Sequence, residues 1–478
     1  MKPAIISHHD YRISLKVQMR QFGVCLTRLP ESFQTILYKI RTLDLSFVDR
    51  TLQKKYSNFG PPPRVPSMMF RSLLVMIYLK VPRLSNWVDM MRTTPVYAIL
   101  CGFDPEKVPG VSTFYDFMQR LWDDPNPNLS SNFKSLPKRV KKPKGKGKKA
   151  ISIETETVAE LILKLSSVKF DIDEEAFATL FKTFRYCFLD VSIRKGLVDP
   201  SDLSIAGDGT PVVTASRYRT HHVCDCVSKG IYNCDCDRFI SQPDTNVGWD
   251  SSRDRFYAGY DLYLLTDSKN DLPLFPFLNQ ASRHDSHGFC DTFFRFKTYM
   301  PGLKPSALLL DSAHDSMAMY DLCKGLGITP YIDLNLGNTK KTTDYIGVTL
   351  GPDGIPICRA GLKMKTNGND LARQYAKFRC PMMVNGVCTC ENPCSDAKYG
   401  RTHSIPRKNN IRLYTISPRG SDEFTGMYNK RTSSERCNKR MKNDFLLEDG
   451  HHRKTMFWYI RVYLIMMIQH LSAWKLVF

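Results

Sequence analysis

Three carboxylates of this chain stand at positions where folding could bring them together. Asp208 lies in a β-branched segment (203–215), Asp311 ends the apolar run SALLLD (306–311), and Glu435 opens a helical segment, TSSERCNKR. Metal-assisted phosphoryl transfer uses such a set, because divalent cations ~3.5–4 Å apart can hold the attacking and leaving oxygens of a phosphodiester. Adjacent strands would supply two of the ligands, and a helix packed across them would supply the third.

Each of these carboxylates also has a purely structural interpretation. Asp208 stands between two glycines and could be a turn residue. Asp311 could cap the helix that follows it. Glu435 comes three residues after Thr432, which is the spacing of a capping box.

Eight of the fifteen cysteines fall in two groups, within HHVCDCVSKGIYNCDC and RCPMMVNGVCTCENPC. Four thiolates suit a closed, structural Zn²⁺ site, although neither group has the usual C-x₂₋₄-C pairs. Thiols without a ligand in loops are the alternative, and neither group looks catalytic. The candidate zinc ligands are Cys224, Cys226, Cys234 and Cys236 in the first group and Cys380, Cys388, Cys390 and Cys394 in the second.

Composition and charge indicate a globular protein with a polyanionic partner. The chain has 478 residues, of which 42% are apolar and 24% charged, and a net charge of +21. That excess favours nucleic acid as the partner, with an anionic membrane surface second. The net charge is +16 over residues 1–150, −7 over 151–350 and +12 over 351–478. This distribution predicts a catalytic core flanked by polyanion-binding surfaces.

The N-terminal part reads as several short helices joined by Pro-rich turns. Ser67 is a candidate N-cap for one of them, and Thr113 with Asp116 forms a capping-box pattern for another. The segment 134–149 holds nine Lys/Arg and no acid, and we predict a disordered linker there. Its lysines, including Lys141 and Lys142, could clamp phosphates, or the segment could be a solvated tether or a localisation signal.

Strands replace helices in the middle of the chain. After a helical stretch (151–193), the pattern predicts strands at 203–215, 256–265, 306–311 and 328–335, and 412–418 could be another. Residues 337–410 are rich in Gly, Pro, Lys and Cys and look like an inserted subdomain. The last 22 residues are strongly apolar, but Arg461, Gln469, His470 and Lys475 interrupt them, so we predict a buried terminal helix rather than a membrane span.

One set of residues resembles a known family. Tyr428, Arg431, Glu435 and Lys442 stand as Y-x₂-R-x₃-E-x₆-K, which is similar to the Tyr-Arg-Glu-Lys motif of bacterial insertion-sequence transposases of the DDE class. The blocks DGTPVV, LLLDSAHD and SRHDSHGF also look like blocks of that family. The resemblance extends to the helical N-terminal part (about 35–122) and so covers most of the chain.

The resemblance implies an α/β fold: a ribonuclease H-like mixed-sheet catalytic core with an inserted β/loop subdomain, preceded by a helical N-terminal domain. Asp208, Asp311 and Glu435 would hold two Mg²⁺ or Mn²⁺ ions. Tyr428, Arg431 and Lys442 would contact DNA phosphates. The predicted divisions are a DNA-binding domain (1–133), a linker (134–150), a first core part (151–336, with a Cys-rich hairpin at 221–240), the insertion (337–410), and the Glu helix with the C-terminal helices (411–478).

The expected function is that of a transposase, which binds the terminal inverted repeats of an insertion sequence, cuts the DNA at the ends of the element in a Mg²⁺-dependent reaction and joins the 3′-hydroxyls to target DNA. A homodimer on paired ends is expected from the resemblance only. Trp249 could hold an unstacked base, as an aromatic does in some relatives, or could simply be a hairpin or core residue. The N-terminus has no apolar secretory segment, so we expect a cytoplasmic, nucleoid-associated protein. The alternatives are a non-catalytic, zinc-containing DNA-binding protein derived from a transposase, and a nuclease without strand transfer.

Overall fold

The structure of the protein is a computed structural model. The structure describes residues 1–25, 29–129, 156–216, 224–231, 242–337, 341–391, 393–398 and 400–475. The predicted linker with Lys141 and Lys142 lies outside these residues, as do Cys234 and Cys236.

The N-terminal part consists of short helices around an apolar core, as predicted. They are α1 (His8–Gln21), α2 (Glu31–Thr42), α3 (Ser46–Gln53), α4 (Pro66–Tyr78), α5 (Leu84–Thr93), α6 (Pro95–Cys101) and α7 (Val111–Arg120). Two predicted caps are wrong. Helix α4 begins at Pro66, whose fixed φ suits the first helical position, and the Ser67 hydroxyl donates to Asp49 instead. Helix α7 begins after Gly110, so Thr113 lies inside it.

A second group of helices leads to the sheet. Thr157 and Glu160 form a capping box at the start of α8 (Val158–Ser167). Helices α9 (Ala178–Phe184) and α10 (Asp190–Arg194) follow, joined by one π-helical turn (Arg185–Leu189). Buried aromatic side chains of this group pack against the last helix of the chain, for example Phe177 at the N-cap of α9, which stacks on Tyr459 with ring centroids 4.9 Å apart.

The centre of the molecule is a six-stranded mixed sheet. Its elements are β1 (Leu203–Val213), β2 (Asn246–Asp250), β3 (Arg255–Asp267), β4 (Leu272–Gln280), α11 (Asp285–Tyr299), β5 (Pro305–Leu310), α12 (Met317–Leu326) and β6 (Thr329–Ile332). The strand order is β2-β3-β1-β5-β6, and β4 pairs with β3. Strands β1, β5 and β6 run parallel, whereas β3 is antiparallel to β1 and β4. This is the ribonuclease H-like sheet that the resemblance implied.

Between the sheet and the C-terminal helices lies a set of short strands with a small core of its own. They are β7 (Thr343–Tyr345), β8 (Val348–Leu350), β9 (Pro356–Ile357), β10 (Lys365–Asp370), β11 (Tyr375–Arg379), β12 (Met383–Val384), β13 (Val387–Cys388) and β14 (Thr402–Pro406). Phe378, Ile405 and Tyr414 are among the buried residues of this core. The strand that 412–418 could have formed is not present, and Arg412 pairs with Asp315 instead.

Three helices complete the fold: α13 (Asp422–Tyr428), α14 (Thr432–Lys439) and α15 (Thr455–Ala473). Helix α15 is buried along almost its whole length. Several of its polar residues form hydrogen bonds inside the protein; Arg461, for example, donates to the Leu447 and Leu446 carbonyls at 2.9 and 2.6 Å. Among the described residues, no helix has the length and apolar character needed to cross a membrane.

Candidate active site

Asp208 lies near the middle of the central strand β1. It is therefore not the turn residue that its flanking glycines could have made it, because β1 continues without a break to Val213. The side-chain amide of Asn438 donates to Asp208 Oδ2 at 3.0 Å. Burial, and next the negative charge of Asp285, raise the pKa of Asp208 to about 7.

Asp311 follows the last residue of β5, the strand that lies parallel to β1. The strands pair from Leu203 to Ala206, so both carboxylates belong to neighbouring strands of the sheet. Asp311 Oδ1 accepts a hydrogen bond from the Ala313 amide at 3.0 Å and one from His314 Nδ1 at 2.6 Å. Burial alone would raise the pKa of Asp311, but the hydrogen bond and charge of His314 outweigh it and lower the pKa. Asp311 thus caps the turn after β5, as its structural interpretation had it, and still lies beside β1.

Glu435 lies on α14, which packs across β1 and β3. Asn438, one helical turn after Glu435, makes the contact with Asp208. Glu435 is half exposed and forms an ion pair with Arg431 Nη2 at 2.5 Å. The capping-box interpretation is wrong, because the helical path continues through Arg431 into α14 and the Thr432 hydroxyl donates to the Asn429 carbonyl.

Arg431 is a cation whose charge acts on all three carboxylates. Besides its ion pair with Glu435, its positive charge opposes the burial that raises the pKa of Asp208 and adds to the effect of His314, which lowers the pKa of Asp311. Tyr428, one turn earlier, is partly buried and stacks on Phe424 with ring centroids 5.7 Å apart. The Arg431 guanidinium lies 5.9 Å from the centre of the Tyr428 ring.

Lys442 lies two turns beyond Glu435, in the π-helical turn Arg440–Asp444. Its side chain is largely buried, and its ammonium lies 3.6 Å from Glu448 Oε1. Burial lowers the pKa of Lys442. Glu448 also pairs with Arg253 at 2.9 Å, so Lys442 shares its partner with a second cation.

Trp249 is a surface residue and not part of the core. It lies on β2 opposite Phe256 of β3, and the two rings make an edge contact with centroids 4.8 Å apart. The two residues are 50% and 71% exposed, which leaves much of both rings in contact with solvent.

The two cysteine groups differ in what the structure describes. Cys224 and Cys226 lie in a described turn, whereas the other two cysteines of that group fall outside the described residues. In the second group, burial, a hydrogen bond with Cys388 and the nearby thiols of Cys380 and Cys358 raise the pKa of Cys390 to about 11. Cys358, which was not predicted, therefore belongs to this thiol cluster.

Several polar residues of the site were not singled out from the sequence. Asn438 could have been found as the residue one helical turn after Glu435, and His314 as part of the LLLDSAHD block. Asp285 lies in the SRHDSHGF block and approaches Asp208. Asp261 of β3 carried no signal beyond being an acid among apolar residues of that strand.

The residues of the site suit a hard divalent cation by their chemistry. Among the described residues, no group of three or more His, Cys, Asp or Glu side chains is already arranged so that it could hold a metal ion. The carboxylates are nevertheless oxygen donors, and burial together with the neighbouring acids raises the pKa of Asp208. A cation would offset this excess of negative charge, as Arg431 does in part.

The sheet order, with Asp208 in the central strand β1 and Asp311 after the end of its parallel neighbour β5, defines an α/β protein with a ribonuclease H-like core. Comparison with family models gives two matches. Residues 30–120 match the family described as Transposase domain (DUF772), and residues 195–469 match the family described as Transposase DDE domain. The second match covers more than half of the chain, so the chain belongs to the Transposase DDE domain family. No curated protein and no solved structure matches it.

Proposed function

We propose that this transposase binds the terminal inverted repeats of an insertion sequence and catalyses divalent-metal-dependent DNA cleavage and strand transfer. One observation carries the proposal. Asp208 and Asp311 lie on neighbouring parallel strands, and Asn438 ties the Glu435 helix to Asp208 at 3.0 Å. Family membership supports the transposase part, and the geometry supports this choice of acids.

Asp208, Asp311 and Glu435 would hold two Mg²⁺ or Mn²⁺ ions. Such ions, when bound, activate the nucleophilic water or 3′-hydroxyl and stabilise the charge that develops on the phosphate. Glu435 is paired with Arg431 through Oε1 at 2.5 Å, and a bound cation would compete with this ion pair for the carboxylate. The freed guanidinium can then donate two hydrogen bonds to a DNA phosphate.

The remaining residues of the Tyr-Arg-Glu-Lys pattern would bind DNA beside the acids. Tyr428 offers a hydroxyl group and a ring face, and Lys442 a point charge. Lys442 would have to exchange Glu448 for a phosphate, because the two lie 3.6 Å apart. Lys141 and Lys142 would add contacts to the backbone of the duplex, independent of its sequence.

Trp249 would hold an unstacked base during the reaction. Its exposed ring, next to the exposed ring of Phe256, supports this role over that of a core residue. Stacking a base on an aromatic side chain is worth about 1–3 kcal/mol. A double variant, Trp249→Leu with Phe256→Leu, would remove both rings and with them this stacking.

Structural zinc, a homodimer on paired ends and a cytoplasmic, nucleoid-associated location are further parts of the proposal. Cys390 hydrogen-bonds with Cys388, and the thiols of Cys380 and Cys358 act on its pKa, which supports a zinc site in the inserted strands. The thiols would have to draw together on the ion, because no three described His, Cys, Asp or Glu side chains are already arranged to hold a metal. Metal analysis of the purified chain and of the Cys390→Ser variant tests it. About one Zn²⁺ per chain, lost in the variant, is the expected result.

The function is tested with the full-length chain on the DNA that flanks its own gene, in Mg²⁺ or EDTA. We expect Mg²⁺-dependent nicks at the element ends and joined products with target DNA. Asp208→Ala should abolish both and keep DNA binding. Asp321→Ala, which removes an exposed acid on α12, is the matched control and should behave as the wild type.

The alternatives give different products. A non-catalytic DNA-binding derivative would bind the ends without cutting them, and its affinity would not depend on Asp208. A nuclease without strand transfer would give cleaved ends and no joined product. Either result would overturn the proposed reaction.

A further inference from the structure

A carboxylate outside the Asp208, Asp311 and Glu435 set approaches β1 from the first turn of α11. Asp285 is the first residue of this helix. A Cβ atom placed on Gly209 would lie only 2.7 Å from Asp285 Oδ1. Glycine next to Asp208 therefore leaves the room through which the Asp285 carboxylate reaches the strand. The Asp285 carboxylate makes no hydrogen bond or ion pair with any described residue.

A second, more deeply buried carboxylate points to the same place. Asp261 is 6% exposed and lies on β3, opposite Pro211 of β1. Its two oxygens lie 2.9 and 3.1 Å from the Cβ position of Gly209. Asp261 Oδ2 has no hydrogen-bond partner among the described residues. A buried carboxylate without a partner is costly unless it takes up a proton or meets a cation, so this orphaned oxygen indicates a missing positive charge.

Helix α11 is also in contact with the turn that holds Asp311. The ring of Phe289, one turn after Asp285, lies 5.8 Å from the ring of His314, which donates to Asp311. The charge of Asp285 is the largest electrostatic contribution that raises the pKa of Asp208, and Asp311 in turn raises the pKa of Asp285. The first turn of α11 thus lies close to both acids.

We propose that Asp285 is a fourth carboxylate ligand of the divalent-metal centre, opposite the Glu435 side of β1, with Asp261 behind it. The inference rests on the proposed function, because it extends the same metal centre. A bound cation would draw Asp208, Asp285 and Asp311 together by rotation about their side-chain torsions. It would also supply the positive charge that Asp261 lacks.

The test is the binding of Mn²⁺ to the full-length chain at pH 8 without DNA, followed by the electron paramagnetic resonance of free Mn²⁺. Loss of a group that only orients a ligand weakens metal binding roughly 10- to 100-fold, and loss of a ligand should cost at least as much. We therefore expect Asp285→Asn to weaken Mn²⁺ binding at least about 10-fold. Asp208→Asn should do the same, and Asp321→Asn should not.

The two variants separate the possible failures. If Asp208→Asn loses Mn²⁺ and Asp285→Asn keeps wild-type affinity, the inference is overturned and the proposed metal centre stands. If neither loses Mn²⁺, or the wild type binds none, both fail.

Thermal unfolding without metal gives a second readout that does not depend on activity. Asp285→Asn should raise the unfolding midpoint at pH 8, because it removes one of several like charges. A lower midpoint together with unchanged Mn²⁺ affinity would assign Asp285 a structural role only. Should the Asn variant not fold, Asp285→Ser takes its place.

Discussion

The Asp311 carboxylate is oriented by a chain of buried side chains. An ionised carboxylate only accepts hydrogen bonds, so His314 Nδ1 carries the proton at 2.6 Å from Asp311. His314 Nε2, on the other side of the ring, shares a hydrogen bond with the Tyr263 hydroxyl at 2.8 Å. His314→Ala should slow DNA cleavage by roughly 10- to 100-fold, the range seen when groups that orient metal ligands are lost.

Tyr263→Phe is a milder variant with which His314→Ala is compared. It removes the far end of the chain and leaves the hydrogen bond between His314 and Asp311 in place, so its cleavage rate should fall less. The Mg²⁺ concentration for half-maximal cleavage should rise in His314→Ala. Equal rates for both variants and the wild type would contradict the orienting role.

A substitution at Glu435 shows whether this residue is a metal ligand or an acid with a structural role only. Glu435→Gln keeps size and hydrogen bonding but loses the charge needed to bind a divalent cation. We expect cleavage to be abolished and binding to end DNA to be nearly unchanged, measured by nicking and by gel shift on the same DNA. Glu106→Gln, at an exposed residue, is the control. Normal cleavage by Glu435→Gln would exclude Glu435 as a ligand.

Asp208 makes the stability of the metal-free protein depend on pH. Burial, followed by Asp285, raises its pKa from an ordinary value of 3.8 to about 7. Between these values the folded chain holds a proton that the unfolded chain has lost, so this group makes stability fall as pH rises. Asp208→Asn should remove that fall and unfold at a higher temperature than the wild type at pH 8, with little difference at pH 4.

Thermal scans in EDTA across pH 4–8 measure this difference. Asp321→Asn should follow the wild type at every pH. A wild-type midpoint that rises from pH 5 to pH 8 by more than the Asp208→Asn midpoint would contradict the raised pKa.

At the residue scale, the sequence predicted the site residues that stand in a recognisable local pattern. It did not predict those that join the site only through contacts between distant segments. Asp311 follows an apolar run, and Glu435 belongs to a spaced pattern. Asp261 and Asp285 become neighbours only because β3 pairs with β1 and α11 packs beside Gly209. No spacing along the chain encodes that contact.

At the scale of elements, α14 is the part that has to be placed accurately. Asn438 ties it to β1 through Asp208 Oδ2, and Arg436 ties it to Asp271 of the β3–β4 turn at 2.7 Å. Asn438→Ala should leave Asp208 without its hydrogen-bond donor and slow cleavage without loss of DNA binding. Lys439→Ala, the next and exposed residue, is the control. Equal single-turnover rates in the two variants would contradict this role of Asn438.

The types of the long elements followed from the sequence, whereas several of their ends did not. Periodic apolar residues predicted the helices, and β-branched and apolar runs predicted the strands around Asp208 and Asp311. The cap predicted at Ser67 failed because a distant carboxylate, Asp49, takes its hydroxyl. The possible strand at 412–418 failed because Arg412 and Arg419 bind groups on and near α12 and β6. In both segments, contacts with residues distant in the sequence determined the local structure.

At the scale of the whole molecule, the N-terminal helices and the central sheet are joined through the last helix. One continuous apolar core includes residues of α4, α9, β4 and α15. Helix α4 packs directly on α15, as do α9 and β4. The DNA-binding part that we propose for residues 1–133 would therefore share its core with the sheet that carries the acids, so a change in one would reach the other through α15.

Lys39 of α2 tests this coupling. Its buried ammonium donates to the carbonyls of Leu471, Ser472 and Trp474 at 3.0, 2.8 and 2.9 Å. These are among the carbonyls that the end of α15 leaves without partners, and a cation suits the negative end of the helix. Lys39→Met removes all three hydrogen bonds and should cost about 1–3 kcal/mol or more of unfolding free energy.

Because the contact joins the two ends of the chain, amide hydrogen exchange should become faster in both α2 and α15 of the variant. Arg41→Met, two residues further along α2, makes no described hydrogen bond and serves as the control. Faster exchange in α2 alone would mean that the N-terminal helices are stable without α15. In that case a single core would not link the DNA-binding part that we propose to the acids of the sheet.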